Sequence, residues 1–291
     1  MAQRRASSAR MNEPQASRLP GNRLHLHHGP IDLIIGGNGR GIETAFANAT
    51  ARFQTILTEL VAEHDALCRA AGTQTLTGPT AKRMSAACTP FSSDTFVTPM
   101  AAVAGSVADE VLAAAVGGDR ITKLYVNNGG DIAFHLSLAE IVTALGANGD
   151  ITVTHDDPAR GVATSGWRGR SLSLGIADAV TVLAKNAATA DVAATLIANE
   201  VDLPGHNAIT RRPASDSEIA PELEDRMVTE AVGPLTHTET TDALARGVAF
   251  AEAAMLKGLI CGAQLSLNGQ TETVQPSTRL DLAEKPRHGE A

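Results

Sequence analysis

The sequence predicts an α+β fold in which a mostly antiparallel sheet is packed by long helices. Apolar residues recur every three or four positions from Ile42 to Ala71, which is typical of a helix lying across a sheet. The stretch Asn127–Asp131, rich in Asn and Gly, separates two apolar runs and predicts a hairpin. Helices alternate with hairpins rather than with single strands, which favours an antiparallel sheet over a doubly wound parallel one.

The composition limits the classes of function. The chain has 291 residues with one Trp, one Tyr and six Phe, so its core must be built from Ala, Val, Leu and Ile. The formal charge of −8 argues against nucleic acid as a partner, because such binding neutralises phosphates with Lys and Arg. A small anionic ligand held by backbone N–H groups is compatible with that charge. No run is long and apolar enough to predict a membrane span.

The chain ends and the cysteines indicate the domain limits and the location. Residues 1–20 begin with a basic stretch that no apolar run follows, so we expect a disordered tail rather than a secretory signal. Residues 21–275 are expected to form a single domain, and residues 276–291 a frayed tail. The three cysteines match no zinc spacing, and their odd number fits a reducing, cytoplasmic location.

The first elements are strands and a glycine-rich turn. The alternation over Leu24–Ile35 predicts one or two strands broken at Gly29. His25 and His27 share a face of this strand, but no carboxylate or Cys accompanies them locally, so ordinary strand positions are favoured over a metal site. The run Gly36–Gly41 lacks the spacing of a phosphate-binding loop and predicts a turn and the start of a helix.

The remaining elements follow from apolar periodicity and from Gly and Pro breakers. Helices are predicted over 42–71, from 99 onward, over 186–200 and over 240–259; strands over 122–126, 132–136, 151–154, 171–174, 179–183 and 263–274; and loops over 73–98 and 211–226.

Asp191 and Thr195 are the most informative pair of polar residues. In a helix they project from one face one turn apart. Such a carboxylate and hydroxyl can hold magnesium, which prefers oxygen ligands and takes few from the protein. The alternative is that Thr195 only bonds back to the carbonyl of Asp191 within the helix. The spacing alone leaves both interpretations open.

Three segments resemble, in order, motifs of the ApbE family, the FAD:protein FMN transferases. Ala104–Asp109 resembles the family's Lys-Gly-x-Ala-x-Asp segment, with Ala104 in place of the Lys. Asn127–Ile132 resembles its Asn-x-Gly-Gly-Asp/Glu-Ile hairpin, and Asp191–Thr195 its Asp-x-x-x-Thr magnesium motif. The family's His-x-x-Asp-Pro-x-Thr-Gly stretch is absent, and the region holds Ser165–Ser173 instead.

The chain is also identified as a member of an uncharacterised family of shorter, cytoplasmic ApbE-like proteins. The segments that carry this likeness are Thr98–Gly105, Asn127–Asp131 and Thr164–Ala179, and the resemblance covers most of residues 23 to 270. It implies an ApbE-like α+β domain related to T-fold modules, and two pseudo-similar halves are compatible with it.

The resemblance also implies a chemistry and a set of site residues. In the ApbE mechanism magnesium bridges the FAD pyrophosphate, a Thr hydroxyl of a client flavoprotein attacks, AMP leaves and FMN stays linked. Magnesium and FAD are then the implied cofactors. Asp191 and Thr195 would be metal ligands, helped by a backbone carbonyl near Val107, while Asp109 would orient the site. Arg170 would supply positive charge, as would Arg168, although both fit a solvated turn equally well. The implied nucleotide-binding residues are Gly105, Asn128, Gly129, Gly130, Asp131, Thr164, Ser165, Ser171, Ser173 and Asp178.

Two functional hypotheses follow. The first is a magnesium-dependent enzyme that binds or transfers a flavin nucleotide, with a client flavoprotein as partner. The second is a non-transferase that keeps the ApbE-like pocket to bind a nucleotide or a small anionic metabolite, since kinship of fold does not give function. Helix faces of small residues favour a homodimer in either case.

Overall fold

The structure, a computed structural model, describes residues 13–93, 95–117, 120–217 and 220–276. Its centre is a nine-stranded sheet in which every pair of neighbouring strands is antiparallel. The α+β prediction is therefore confirmed. The strands are β1 Gln15–Leu19, β2 Arg23–His28, β3 Ile31–Gly39, β4 Ile121–Asn128, β5 Asp131–Leu136, β6 Ile141–Gly146, β7 Gly149–Thr154, β8 Gly161–Ser165, β9 Ala179–Ala184, β10 Ile209–Pro213, β11 Met227–Val232, β12 Gly262–Leu267 and β13 Gln270–Val274. The helices are α1 Ile42–Ala62, α2 His64–Leu67, α3 Pro79–Cys88, α4 Val103–Ala115, α5 Ala187–Glu200 and α6 His237–Leu256.

The central sheet and the helices packed on it form two halves that contain the same main elements in the same order. Its strand order is β1-β2-β3-β4-β5-β8-β9-β12-β13. The first half contains the hairpin β2–β3, the long helices α1 and α4, and the hairpin β4–β5. The second contains the adjacent strands β8 and β9, the long helices α5 and α6, and the hairpin β12–β13. The halves join where β5 pairs with β8, at Ile132–Val162 and Ala133–Gly161.

Both halves bury apolar side chains between the helices and one face of the sheet. In the first half Phe53 of α1 packs in one cluster with Leu33 of β3. In the second, Ile197 of α5 packs with Val182 of β9. Leu183, the next residue of β9, belongs instead to a cluster with the separate hairpin β6–β7. Because side chains alternate along a strand, this hairpin covers the opposite face of the sheet.

The first long helix is shorter than its apolar pattern predicts. It ends at Ala62, and the chain continues as the single turn α2. The reason is Glu63, whose carboxylate accepts hydrogen bonds from the N–H groups of Thr77 and Gly78, each at 3.0 and 2.9 Å. The predicted loop over 73–98 is also wrong, since it contains α3. Pro79 stands in the first turn of α3, where a missing N–H costs nothing, so it starts a helix rather than breaking one.

Other differences arise from long-range strand pairing. The glycine run predicted as a turn continues β3 to Gly39, because Gly37 leaves room for the neighbouring backbone: a Cβ there would lie 2.1 Å from the carbonyl oxygen of Lys123. The predicted N-terminal tail is wrong for residues 15–19, which pair with β2 as β1. Residues 1–12 and 277–291 of the predicted tails lie outside the described residues.

Beyond residue 140 the structure differs from the sequence prediction in further segments. No strand forms over residues 171–174. The predicted loop over 211–226 contains most of β10, where Arg211 donates hydrogen bonds to the carbonyl of Leu174 and to the carboxylate of Asp202. The strand predicted over 263–274 is the hairpin β12–β13. Within the described ranges, no helix is long and apolar enough to cross a membrane.

The helices α4 and α5 are joined by a reciprocal pair of carboxylates. Asp109 of α4 accepts hydrogen bonds from the N–H groups of Ala187 and Ala188, at 3.1 and 2.9 Å, at the start of α5. Asp191 of α5 accepts one from the N–H of Gly105, at 2.9 Å, in the first turn of α4. Each carboxylate thus satisfies backbone donors that the other helix leaves unpaired at its N-terminus.

We expect Gly105→Ala to destabilise the fold strongly. A Cβ at Gly105 would lie 2.2 Å from the carbonyl oxygen of Ala187, so α4 and α5 must move apart. The expected loss in the free energy of unfolding exceeds about 3 kcal/mol, measured by urea denaturation. Gly117→Ala is the matched control, because the nearest atom to a Cβ there is 3.8 Å away. Equal losses in the two variants would contradict close packing at Gly105.

Candidate functional site

A cavity of about 510 Å³ opens at the ends of the central strands. Its wall is formed by the turn of the β4–β5 hairpin, the end of β8, the loop that follows β8 and the first turns of α4. The lining residues that the argument uses are Val107, Asn128, Gly129, Asp131, Thr164, Ser165, Arg168, Arg170, Ser171 and Asp178. Segments that lie far apart in the sequence thus meet at one place.

A second cavity of about 220 Å³ adjoins the first. The two share the wall residues Val103, Ala104, Asp131 and Ser171. Asp191 and Thr195 of α5 line the second cavity. The hairpin motif and the Asp-x-x-x-Thr motif, predicted separately, therefore line adjacent cavities.

Asp191 is the most deeply placed acid of the site. It accepts the N–H of Gly105, and the N–H of Ala104 also faces it, so it lies at the positive end of α4. Burial nevertheless raises its pKa well above the usual range, and the nearby carboxylate of Asp131 raises it further. The N-terminus of α4 thus only partly offsets the cost of a charge at this position.

Asp131 is the second buried acid. Burial raises its pKa to about 7, although the N–H of Thr164, 3.3 Å from Oδ1, and the positive charge of Arg170 both favour the ionised form. Two neighbouring carboxylates in a partly buried site ionise together more readily when positive charge is supplied. The pair therefore favours a bound cation.

Thr195 does not form the bond within the helix that was the simpler interpretation of its spacing. Other helical threonines, such as Thr50 and Thr240, donate to the carbonyl four residues earlier, at 2.8 and 3.0 Å. Thr195 has no hydrogen-bond partner among the residues that the structure describes, and it lines the second cavity beside Asp191. Its hydroxyl is therefore free to bind a cation or a ligand.

The two arginines of the loop after β8 differ in whether their side chains are already bonded. Arg168 donates to Oδ1 of Asp178 at 2.6 Å, and its guanidinium lies 5.0 Å from the centre of the Trp167 ring. Arg170 lies against Gly129, where a Cβ would come within 2.1 Å of Nη2. Within the described part of the chain Arg170 has no hydrogen bond or ion pair, so it remains available for an anion.

The β4–β5 turn is fixed to α4 by side-chain bonds. Asn128 Nδ2 donates to the carbonyl of Ala104 at 3.0 Å, and Asn127 Oδ1 accepts from the N–H of Gly130 at 2.8 Å. Gly129 and Gly130 have φ values of 67° and 119°, a conformation that favours glycine. Gly130 supports the turn without lining either cavity, whereas Asn128 and Gly129 line the first.

Several residues expected to act in the site are committed to the fold instead. Asp109 lines neither cavity, and both of its oxygens bond the start of α5, so it is a positioning residue. Ser173 is buried and bonds the carbonyl of Gly175 and the amide of Asn199. Asp178 lines the first cavity, but it is bonded by Trp167, Arg168 and Asn268.

Val107 and Gly105 contribute through packing and backbone rather than as ligands. Val107 lies in the second turn of α4, where its carbonyl points along the helix axis away from Asp191 and belongs to the helical hydrogen-bond ladder. It is therefore a poor metal ligand, although it lines the first cavity. Gly105 donates its N–H to Asp191 and allows the close approach of α5.

The remaining predicted residues carry side-chain hydroxyl groups. Thr164 shares a hydrogen bond of 2.8 Å with Thr181, while Ser165 and Ser171 line the first cavity without a bonded partner among the described residues. The second cavity was not predicted as a site, although many of its wall residues lie in segments that the resemblance had singled out. The wall residues that lie outside those segments and were missed include Phe96, Asn199, Glu222 and Leu223.

No group of three or more His, Cys, Asp or Glu side chains in the described ranges has the geometry of a metal site. His25 pairs with Asp32 across the β2–β3 hairpin, at 2.9 Å from Nε2 to Oδ1, so a carboxylate does accompany these histidines, contrary to the expectation from the sequence. A cation at Asp131 and Asp191 would thus have two carboxylates and the Thr195 hydroxyl from the protein. This oxygen set suits magnesium, which keeps water or ligand oxygens, and not a softer transition metal.

The chain is similar to a family model, to other protein sequences and to a solved structure. A family model described as "AbpE bacteria" matches residues 16–273. A UPF0280 protein of Methanopyrus kandleri is 35% identical over 183 residues, which are 58% of this chain and 69% of that protein. A UPF0280 protein of Methanococcoides burtonii is 37% identical over 120 residues, and the match spans 39% of this chain and about half, 49%, of that relative. The apo structure of the Pseudomonas stutzeri flavinyl transferase ApbE has 13% identity and a TM-score of 0.44, covering 90% of this chain and 96% of that one.

We expect Asp131→Asn to stabilise the metal-free protein more near pH 8 than near pH 5. The pKa of Asp131 rises from an ordinary 3.8 to about 7 in the folded protein. Between these values the folded state keeps a proton that the unfolded chain releases, so the free energy of unfolding falls as pH rises. Asn removes this loss and can still accept the N–H of Thr164.

The expected gain near pH 8 is about 1–3 kcal/mol, measured by urea denaturation in EDTA. Asp150→Asn is the control, since Asp150 is exposed and its substitution should change little at either pH. A gain for Asp131→Asn that is equal at both pH values would show that the charge of Asp131 is not the source.

Proposed function

The chain belongs to the AbpE bacteria family, and from this membership and the geometry of its two cavities we propose that it binds a magnesium ion together with a flavin nucleotide, FAD. Cation and nucleotide would meet at the wall that the two cavities share. FMN transfer to a client flavoprotein is the activity that the family resemblance adds to this proposal. A cytoplasmic location accompanies it, supported by three free thiols, Cys68, Cys88 and Cys261.

The observation that carries the proposal is a set of uncommitted polar groups around one space. Burial raises the pKa of both Asp131 and Asp191, the carboxylate of Asp131 raises the pKa of Asp191 further, and Thr195 has an unbonded hydroxyl in the same cavity. Arg170 lies across the first cavity without an ion pair among the described residues. Buried polar groups are normally bonded, so such a set indicates ligands that complete it.

The charges make nucleotide binding depend on the cation. Two carboxylates repel a pyrophosphate in a site of low dielectric, and Arg170 alone cannot neutralise both. Magnesium held by Asp131, Asp191 and Thr195 would cancel the charge of the two carboxylates and offer open coordination positions to phosphate oxygens. The residues of the chain would then bind and orient: Arg170 on a phosphate oxygen, and Ser165 and Ser171 as further donors.

Transfer would require an acceptor hydroxyl to attack the phosphorus of the FMN half, with AMP leaving and the hydroxyl proton passing to a base. One observation favours the second hypothesis, a pocket that binds without transferring. Asp109, the acid expected to orient the site, lines neither cavity and bonds the start of α5, so it is not placed to receive a proton from an acceptor hydroxyl there. The proposed homodimer stays a prediction in either case.

We expect isothermal calorimetry to find micromolar FAD binding that requires magnesium. Asp191→Asn should abolish the magnesium dependence while keeping an oxygen for the N–H of Gly105; Ala at this position would also remove the contact with α4. Arg170→Ala should weaken FAD binding at least about tenfold, because it removes a charge-assisted bond to phosphate. Arg168→Ala is the matched control and should stay within about twofold, since Arg168 is paired with Asp178.

AMP release separates the two hypotheses. Release from FAD that needs magnesium and disappears in Asp191→Asn supports transfer. Tight binding without AMP release, in the presence of candidate acceptor proteins, supports the binding protein. FAD affinity that is the same with and without magnesium, and unchanged in Asp191→Asn, would refute the cation site.

A further inference from the structure

The second cavity is lined mainly by apolar side chains. They come from the segment before α4, the loop after β8, helix α5 and the turn between β10 and β11. The largest are Phe96, Met100, Leu172, Leu174, Leu196 and Leu223. Such walls offer no partner for a phosphate, so this space suits a different part of a ligand from the first cavity.

Three polar side chains that retain unused hydrogen-bonding capacity face this apolar space. Thr98 is only 4% exposed, yet its hydroxyl has no partner among the described residues. Asn199 uses its Oδ1 to accept from the N–H of Leu174 at 2.9 Å, which leaves its Nδ2 as a free donor. Glu222 is half-buried, and burial raises its pKa. A hydroxyl, an amide donor and a carboxyl thus interrupt an apolar wall.

These groups are held in place by their surroundings. The Oδ1 bond to Leu174, together with that from Ser173 at 3.3 Å, fixes the plane of the Asn199 amide. On the other side, the guanidinium of Arg226 lies 3.5 Å from the centre of the Phe96 ring and holds this wall residue. A rigid apolar slot with fixed polar groups is the arrangement that orients a flat ligand.

We propose that the second cavity binds the heteroaromatic ring of the nucleotide whose phosphates occupy the first cavity, and that Thr98, Asn199 and Glu222 select this ring by its N–H and carbonyl edge. This inference rests on the proposed function for the phosphate end. Val103, Ala104 and Asp131 line both cavities, so the two spaces are adjacent and one ligand could place its phosphates in the first and its ring in the second.

Other ligand types fit the cavity less well. An aliphatic chain would fill the apolar space but leave three buried polar groups unbonded, which is costly. A small anion would meet the carboxyl of Glu222 and no cationic side chain lining this cavity. A flat ring with alternating donors and acceptors satisfies both the walls and the polar groups. Adenine and the flavin ring share this chemistry.

The test is calorimetry in magnesium with four ligands: FAD, ADP, FMN and inorganic pyrophosphate. Thr98→Val keeps the side-chain shape and removes the hydroxyl, while Glu222→Gln keeps the shape and removes the charge. Glu224→Gln is the matched control, since Glu224 is exposed and two residues further on. Thermal unfolding of each variant checks that the fold is intact.

We expect pyrophosphate to bind at least about tenfold more weakly than the best ring-bearing ligand. Thr98→Val and Glu222→Gln should each change the affinity for that ligand by about threefold to tenfold, and leave pyrophosphate and the control unchanged. If the two substitutions change the affinity for ADP but not for FMN, the bound ring is adenine. If they change the affinity for FMN but not for ADP, it is the flavin ring.

Two results would overturn the inference, and they are distinguishable. If pyrophosphate binds as tightly as FAD, or if the variants leave every ring-bearing ligand unchanged, the second cavity holds no ring, while the proposed cation and phosphate site stands. If no ligand, pyrophosphate included, binds in a magnesium-dependent way, the proposed function itself fails.

Discussion

Helices α4 and α5 each receive at their N-terminus a carboxylate from the other helix. Asp109 bonds the start of α5, and Asp191 bonds the N–H of Gly105 at the start of α4. The two helices belong to different halves of the molecule, so this exchange fixes the halves to each other at their centre. Gly105 makes it possible, because any larger residue would push against the carbonyl of Ala187. The arrangement of both cavities depends on it.

The same exchange has opposite consequences for its two acids. Both oxygens of Asp109 bond the start of α5, so this residue serves the fold alone. Asp191 bonds α4 through one oxygen and also lines a cavity beside Asp131. Burial of this second pair raises both pKa values, so the metal-free protein holds acids that ionise reluctantly. A bound cation would lower the free energy of the ionised carboxylates. Asp191 therefore both joins the two helices and lines a cavity.

The site lies where the two halves join, which explains how short motifs become one surface. The β4–β5 turn contributes Asp131, the loop after β8 contributes Arg170, and α5 contributes Thr195. The sequence predicted this set of segments, since the turn and the helical pair each have a local signal. It did not separate Arg170 from Arg168, because only a contact across the fold decides which side chain is already bonded.

The sequence by itself determined the fold class, the β4–β5 hairpin, helix α5 and the family, because apolar periodicity, turn residues and motif order are local properties of a chain. Tertiary structure alone decided the rest. Glu63 ends α1 by bonding residues 77 and 78, β1 forms because β2 offers an edge, and the second cavity is assembled from four separate segments. Burial and pairing between residues distant in sequence leave no periodic trace, so neither the free hydroxyl of Thr195 nor the slot around Thr98 was readable before the chain was folded.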